Sequence, residues 1–377
     1  MDSKRLKSLD VLRGFDLFLL FCLGGIIVAG AKAFEWPWLV AVADQCEHVS
    51  WEGYAVWDQI MPLFMFMAGV SIPFAFTKYR EENRSKKQIY WRIARRFAIL
   101  WILGMVCQGN LLTFIPSEWK WYSNTLQTIA VGYLVSSLMF LHTKPKTQII
   151  TAICLTLAYW AAMMFIKVDG WGGGDFTPDG NLAEWIDRNV MGYSRHCTVR
   201  TPDGGYTIPD WYRYTWLLSS LNFIVTVMSG MFAGEVLKNQ KKTDNQKALF
   251  LIVLGAICIG AGLLWGLQMP IIKKIWTSSM TVFSSGISFV LMGVFFWMVD
   301  IKKWKGFEWL TAFGMNSIFV YMIPNFLTFK GVAGNFIKGL QNYMPEPSYL
   351  FCKEIGGAIL FYIVVKIMKD KGIFLKA

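Results

Sequence analysis

The sequence predicts an all-α protein that crosses a lipid bilayer many times. Hydrophobic residues make up 55% of the 377 residues and charged residues only 16%, whereas about 25% of the residues in a soluble domain are charged. The mean hydropathy is positive, and apolar stretches long enough to cross roughly 30 Å of hydrocarbon recur along the whole chain. We therefore expect one membrane domain over residues 1–377 and no soluble module.

Ten apolar stretches are predicted to be transmembrane helices. The first follows MDSKRLKSLDVLRG and has no small-residue cleavage site after it, so we expect a retained span rather than a cleaved signal peptide. The predicted spans are 13–33, 56–77, 93–110, 123–142, 147–166, 212–237, 248–268, 277–300, 308–329 and 349–367.

Basic residues are distributed unevenly between the segments that join these spans. If the N-terminus is cytoplasmic, the inner segments hold 25 of the 37 Lys and Arg residues. Short loops follow this positive-inside bias, and long translocated loops largely escape it. Both termini are therefore predicted to be cytoplasmic, with one long outer loop at 167–211. The net charge of +12 then lies at the cytoplasmic lipid surface, which argues against a role in binding nucleic acid.

The sequence of the outer loop predicts turns and a short helix, and cysteines in the outer loops permit a disulfide. The stretch DGWGGGDFTPDG is rich in turn residues, and NLAEWIDRNVMG predicts a short helix beginning at Asn181. Cys46 and Cys197 fall in outer loops, where an oxidising compartment would permit a disulfide. Because Cys107 and Cys352 also lie near the outer face, the pairing stays open. No CxxC or His-rich spacing predicts a metal site.

His48 and Asp58 are the leading candidates for catalysis. His48 comes just before the second span, and Asp58 is expected one or two turns into its helix. An ionisable residue in a span is a functional-site hypothesis by default. Imidazole, whose ordinary pKa is near 6.5, suits a general base that takes a proton from an amine, and Asp58 would orient the ring. The alternatives are an interfacial histidine and a carboxylate in a structural pair.

Arginines cluster on the predicted inner side. Asp10 and Arg13 are three apart on one helical face, which is typical of a structural ion pair. Arg92, Arg95 and Arg96 stand at the head of the third span, where such clusters usually anchor a helix at the lipid headgroups. The same guanidinium groups would also suit the phosphates of a nucleotide cofactor, which they bind in a bidentate fork.

Among the amides that fall within predicted spans we single out Gln127, Asn222 and Asn316. Hydrogen bonding between helices is the usual role of such amides in a membrane. Contact with a substrate is the alternative role.

Six sequence blocks occur in one order along nearly the whole chain. They are SLDVLRG, HVSWEGYAVWDQIMPLFMFMAGVSI, RIARRFAILWILG, LQTIAVGYLV, MPIIKKIW and GMNSIFVY. In that order they resemble the heparan-α-glucosaminide N-acetyltransferase family. The lysosomal enzyme has an extra lumenal N-terminal domain that these 377 residues lack, so we expect a bacterial-type, DUF5009-like member.

The resemblance implies a transmembrane acetyltransferase in the inner membrane. Its donor would be cytoplasmic acetyl-CoA, and its acceptor the amine of a glucosamine-type sugar on the outer, periplasmic side. The family's H-x-S-W-x-G block, with its catalytic histidine, falls on His48, which implies a periplasmic base assisted by Asp58. The other implied contacts are Arg13, Arg95, Arg96, Gln127 and Asn316 for acetyl-CoA, and Trp51, Glu52 and Lys273 for the sugar.

Three blocks depart from the family pattern. A polar asparagine that precedes the family's histidine has no counterpart, because the matching stretch around Gly24 and Gly25 is apolar. The Y-D-P-E-G block reads YRYTW at 212–216, and PINK reads PIIK at 270–273. All three departures fall on the acceptor side. They therefore bear on which acceptor the protein uses and on whether it retains the activity.

Two hypotheses from other classes stay open. A transporter of amino sugar or N-acetylglucosamine would move substrate without acetyl-CoA, although no internal repeat or matching pair of broken helices is found. A membrane scaffold would show no turnover. The sequence also leaves open whether the chain is a monomer or a homodimer, and whether acetyl transfer is direct or passes through an acetyl-histidine.

Overall fold

A computed structural model describes residues 6–81, 84–201, 205–209 and 212–375. The described residues are largely helical, and they divide into two compact units. Unit 1 comprises Ser50–Gly53 and Met61–Val290, and unit 2 comprises 6–49, Tyr54–Ile60 and 291–375.

The elements are labelled in chain order. The helices are α1 (Lys7–Phe18), α2 (Gly24–Phe34), α3 (Pro37–Asp44), α4 (Ile60–Glu81), α5 (Lys86–Gln108), α6 (Thr125–His142), α7 (Pro145–Phe165), α8 (Leu182–Met191), α9 (Ser220–Lys238), α10 (Asp244–Gly266), α11 (Ser278–Phe295), α12 (Thr311–Met315), α13 (Ser317–Met322), α14 (Phe329–Phe336) and α15 (Glu346–Asp370). Two antiparallel pairs join β1 (Lys167–Val168) to β2 (Trp171–Gly172) and β3 (Val199–Arg200) to β4 (Tyr206–Thr207). π-helical turns follow α1 at Leu19–Leu23 and α11 at Phe296–Ile301.

Seven helical segments in the described part of the chain are long and apolar enough to cross a membrane. They coincide with seven of the predicted spans, and the prediction of an all-α, multi-pass membrane protein is confirmed. The segments are Lys7–Phe34, Val56–Thr77, Thr125–His142, Pro145–Phe165, Ser220–Lys238, Asp244–Gly266 and Ser278–Ile301.

The other three predicted spans have two different outcomes. Spans 93–110 and 349–367 fall on α5 and α15, which have 23 and 25 residues; at 1.5 Å per residue each is roughly 35 Å long. The predicted continuous helix at 308–329 is wrong, because Asn316 separates α12 from α13 with φ −112° and ψ 32°. A 3-10 turn at Ile323–Asn325 then follows α13.

The loop after α7 contains the predicted short helix. Asn181 caps α8 by accepting a hydrogen bond from the Glu184 N–H at 2.9 Å, which confirms the predicted start. The buried Glu184 carboxylate also pairs with the buried Arg195 guanidinium at 2.6 Å. The predicted loop end at 211 lies outside the described residues.

The start of α9 at Ser220 corrects the predicted start at 212. The cause is the Asp187 carboxylate of α8, which accepts the N–H groups of Trp216 at 2.6 Å and Leu217 at 3.1 Å. Burial raises the pKa of this carboxyl to about 7, although the nearby Arg195 guanidinium acts in the opposite direction. These two N–H groups are therefore bound by Asp187 of α8, and α9 does not extend back to include them.

Helix α9 is central to unit 1 because it contacts α6, α7 and α10 and also crosses α4. At that crossing a Cβ atom on Gly230 would overlap the carbonyl oxygen of Phe66, and one on Gly69 would overlap that of Val227. Small residues permit such close backbone approach between membrane helices.

Unit 2 uses the same device where α1 meets α12. A Cβ atom on Gly14 would overlap the Leu310 carbonyl oxygen, and one on Gly314 would overlap that of Asp10. Helix α15 packs against α2 and α14. Unit 2 is thus built on the contacts of α1 with α12 and of α15 with α2 and α14.

The glycine crossing predicts opposite effects for two matched alanine substitutions. Gly230→Ala should lower the free energy of unfolding by about 1–3 kcal/mol, because the added methyl group forces the backbones apart. Gly260→Ala on α10 meets no atom within 4 Å, so better helix propensity should raise stability by up to about 1 kcal/mol. Thermal unfolding in detergent measures both, and shifts of the same sign and size would contradict the crossing.

Candidate active site

The segment after α3 folds back on itself to present His48. Gln45 holds it closed: its carbonyl oxygen accepts the Trp57 N–H at 3.0 Å and its side-chain oxygen accepts the Val56 N–H at 3.3 Å. A 3-10 turn at Val56–Gln59 then leads into α4. Asp58 lies in this turn, before α4 and not one or two turns into it as predicted, because its side chain caps the turn.

The Asp58 carboxylate is held by the His48 ring and by two backbone N–H groups. Oδ1 lies 2.7 Å from His48 Nδ1. Oδ2 accepts the N–H groups of Ala55 at 3.1 Å and Val49 at 3.4 Å. The Asp58 side chain is 3% exposed and that of His48 is 43% exposed. A buried carboxylate thus fixes one edge of an imidazole that solvent reaches.

This arrangement sets the proton on the ring. An ionised carboxylate only accepts, so Nδ1 donates to Asp58 and Nε2 carries the lone pair. A carboxylate in this position also stabilises the imidazolium that forms when Nε2 takes a proton. The pair has the geometry of an oriented general base.

Trp51 and Lys273 belong to one region of unit 1. The Gly53 N–H donates to the Ile271 carbonyl oxygen at 2.9 Å, so the chain next to Trp51 and Glu52 lies against the loop that holds Lys273. The Trp51 indole donates to the Phe176 carbonyl oxygen at 3.0 Å. Glu52 is exposed and Lys273 is buried.

The predicted arginines occupy different environments. Arg13 of unit 2 lies 3.9 Å from Asp10, which confirms their shared helical face. In unit 1, Arg95 on α5 is exposed. Arg96 lies with its guanidinium carbon 4.2 Å from the centre of the Tyr133 ring. This stacking on Tyr133 orients the Arg96 side chain on the side of α5 that meets α6.

The predicted amides differ in how they are used. Gln127 accepts the Ser123 N–H at 2.8 Å and donates to the Trp121 carbonyl oxygen at 2.6 Å, so it holds the turn before α6. Asn222 donates to the Trp276 carbonyl oxygen at 2.8 Å. Asn316 is fully buried at the break between α12 and α13, and within the described residues neither side-chain polar atom has a hydrogen-bond partner.

Sequence reasoning missed a cavity of about 710 Å³ in unit 2. Glu47 and Trp57, the chain neighbours of His48 and Asp58, line it together with Glu354 of α15. Glu354 falls within the predicted span 349–367, and an ionisable residue in an apolar stretch was the available signal. The residue sits close in space to the predicted base segment but far from it in sequence, so no local motif links them.

The structure also describes the cysteines and the side chains that could bind a metal ion. Cys46 and Cys197, whose pairing the sequence left open, are both free thiols. In the described ranges no group of three or more His, Cys, Asp or Glu side chains is placed to hold a metal ion.

The unpartnered amide of Asn316 predicts an unusual stability effect. A buried polar group without a partner costs about 1–3 kcal/mol, so Asn316→Leu should raise the unfolding temperature in detergent. The matched change Asn222→Leu removes an amide that is bonded to Trp276 and should lower it. A loss of stability in Asn316→Leu equal to that in Asn222→Leu would show that the Asn316 amide is satisfied.

The proteins that this chain matches agree with the resemblance of its six sequence blocks. Residues 5–172 match a family described as "Domain of unknown function (DUF5009)". The chain is 25% identical over 374 residues to heparan-alpha-glucosaminide N-acetyltransferase of Mus musculus, covering 87% of this chain and 55% of that protein. It is also 25% identical over 360 residues to the Homo sapiens protein of the same name, covering 84% of this chain and 52% of that protein. The chain thus spans about half the length of these curated relatives. The chain is similar to the heparan-alpha-glucosaminide N-acetyltransferases, which confirms the resemblance carried by its sequence blocks.

Proposed function

We propose that the chain is a transmembrane acetyltransferase that moves the acetyl group of acetyl-CoA to the amine of a glucosamine-type sugar. One observation carries the proposal: His48 Nδ1 lies 2.7 Å from the carboxylate of a buried Asp58. An exposed imidazole oriented in this way can act as the general base in N-acetylation of an amine. Both curated relatives are named as N-acetyltransferases, which supports the same reaction.

In the proposed reaction His48 acts as the general base. Nε2 takes a proton from the sugar ammonium or amine, and the amine nitrogen attacks the thioester carbonyl carbon. The new C–N bond forms as the C–S bond breaks, and the proton held on Nε2 passes to the thiolate of CoA. Asp58 keeps the ring in the reactive tautomer and stabilises its cationic form.

For acetyl-CoA we propose that Arg95 and Arg96 bind the phosphates, with Arg13 as a further cationic contact. Stacking of Arg96 on Tyr133 supports this role. The N–H donors of a stacked guanidinium lie in the plane of the guanidinium group and stay available to a phosphate. Gln127 would position the turn before α6. The unpartnered amide of Asn316 is suited to stabilise the oxyanion of the transition state.

For the acceptor we propose contacts from Trp51, Glu52 and Lys273. Their support is the Gly53–Ile271 hydrogen bond, which brings the two sequence blocks together in unit 1. The protein would lie in an inner membrane, as one domain over 1–377, with ten spans when α5, α15 and the broken α12–α13 segment are counted. His48 would face the periplasm, and both termini would be cytoplasmic.

The proposed orientation predicts which loops a membrane-impermeant maleimide reaches. Asn181 is buried, so Val190 on α8, which is 69% exposed, is the better site in the outer loop. In a cysteine-free variant, Val190→Cys should label in intact cells and Lys241→Cys only after permeabilisation. Labelling at 241 in intact cells would reverse the topology and place His48 on the cytoplasmic side.

The catalytic proposal predicts the effect of two substitutions in the pair. His48→Ala should lower acetyl transfer to glucosamine by roughly 10²–10⁴-fold while acetyl-CoA still binds. Asp58→Asn should lose a comparable amount. The Asn oxygen would stay on the N–H groups of Ala55 and Val49, so its NH₂ would face Nδ1 and force the proton onto Nε2.

The rate is measured as thiol released from acetyl-CoA by purified protein. Asp44→Asn removes an exposed carboxylate at the end of α3 and serves as the control with wild-type turnover. The double variant with both His48→Ala and Asp58→Asn should be no slower than His48→Ala alone, because the two residues act together as one general base. A His48→Ala variant with the wild-type rate would remove His48 from the reaction.

A further inference from the structure

The cavity in unit 2 has apolar walls and several charged side chains. Its volume of about 710 Å³ is in the range of small-molecule sites. Helix residues of α2, α14 and α15 form the walls. The charged lining residues are Lys32, Glu47, Lys330, Glu346 and Glu354. Carboxylates outnumber ammonium groups, so the cavity favours a cationic occupant.

Two glycines of α2 shape the side of the cavity nearest the His48 segment. A Cβ atom on Gly24 would overlap the ring of Trp57, and one on Gly25 would lie 2.8 Å from Glu354 Oε2. The aromatic ring and the carboxylate can therefore lie against the backbone of α2 only because both positions lack side chains.

The Glu354 carboxylate is held in place from α14. Lys330 Nζ lies 2.9 Å from Glu354 Oε1, and the two side chains are 54% and 21% exposed. A Cβ atom on Gly357, three residues along α15, would lie 2.7 Å from the Lys330 backbone nitrogen, so α14 and α15 are in direct contact there. Oε1 is engaged by Lys330, and Oε2 is the oxygen closer to Gly25.

We propose that this cavity binds the acceptor amine and that Glu354 recognises its ammonium group, an inference that rests on the proposed acetyltransferase function. A carboxylate forms a charge-assisted hydrogen bond with an ammonium ion, and the Trp57 ring attracts the same cation through its face. Glu354 of α15 thereby places a carboxylate against the apolar surface of α2 at Gly25. Glu47 and Trp57 connect the cavity to the base, since each is the chain neighbour of a residue in the His48–Asp58 pair.

A charge-specific binding measurement tests Glu354. Glu354→Gln should weaken glucosamine binding to the purified protein roughly ten- to hundredfold, the effect of losing a hydrogen bond to a charged group. Binding of N-acetylglucosamine, which has no ammonium group, should change little. Asp370→Asn at the end of the same helix lies outside the cavity and should bind both sugars like the wild type. Titration calorimetry in detergent gives the dissociation constants without requiring turnover.

A second variant separates recognition from the ion pair with Lys330. Gly25→Ala keeps Glu354 and Lys330 but adds a methyl group 2.8 Å from Oε2, so it should also weaken glucosamine binding selectively. In turnover assays both variants should raise KM for glucosamine and leave KM for acetyl-CoA unchanged.

The outcomes distinguish this inference from the proposed function. If the wild type releases thiol but both variants bind glucosamine normally, the acetyltransferase stands and Glu354 is a structural partner of Lys330. If the wild type binds glucosamine through Glu354 but releases no thiol with any amine, the cavity assignment stands and the proposed reaction fails. Equal losses for both sugars would show a collapsed cavity and overturn the role of Glu354 in recognising charge.

Discussion

The hydrogen bond between a buried carboxylate and an exposed imidazole is the interaction on which the proposed chemistry depends. A carboxylate at the start of an apolar helix is costly unless it is paired and hydrogen-bonded. Asp58 meets this requirement with two backbone N–H groups on Oδ2 and the His48 ring on Oδ1. The fold of the short segment from Gln45 to Gln59 follows from it, because the turn closes around that carboxylate. The same contacts that make Asp58 tolerable also fix the tautomer of His48.

Glycine contacts explain how the helices come close enough to shape the sites. In unit 1 the crossing at Gly69 and Gly230 places α9 against α4, and in unit 2 Gly14 and Gly314 join α1 to α12. In the wall of the cavity, Gly25 serves a different purpose: it leaves room for a carboxylate rather than for another backbone. The small residues therefore pack helices in one place and make space for polar groups in another.

The sequence was sufficient for the parts of the fold that depend on local composition. Seven apolar runs and the Asn181 cap could be predicted, because hydropathy and capping chemistry act over a few residues. The start of α9 was missed because Asp187, well over 20 residues earlier, binds the N–H groups of Trp216 and Leu217. The break at Asn316 was missed because the run from 308 to 329 is apolar on average, and hydropathy does not register backbone geometry.

The candidate site was predictable to a similar degree. The pairing of His48 with Asp58 follows from their ten-residue spacing at the mouth of a span, and the structure brings them together. Glu354 could not be connected with them, because it reaches Gly25 through the packing of α15 on α2. Gln127 shows the opposite limit: its sequence suggested an available amide, whereas both of its polar atoms hold the turn before α6.

The most direct test of the central claim uses the wild-type protein in sealed vesicles that contain acetyl-CoA, with labelled glucosamine added outside. We expect N-acetylglucosamine to appear outside while an equal amount of CoA thiol appears inside. Only protein molecules whose acetyl-CoA side faces the vesicle lumen can react. Molecules inserted in the opposite orientation have no acetyl-CoA on that side and do not obscure the result. Unmodified glucosamine accumulating inside without release of thiol would contradict the account and identify a transporter.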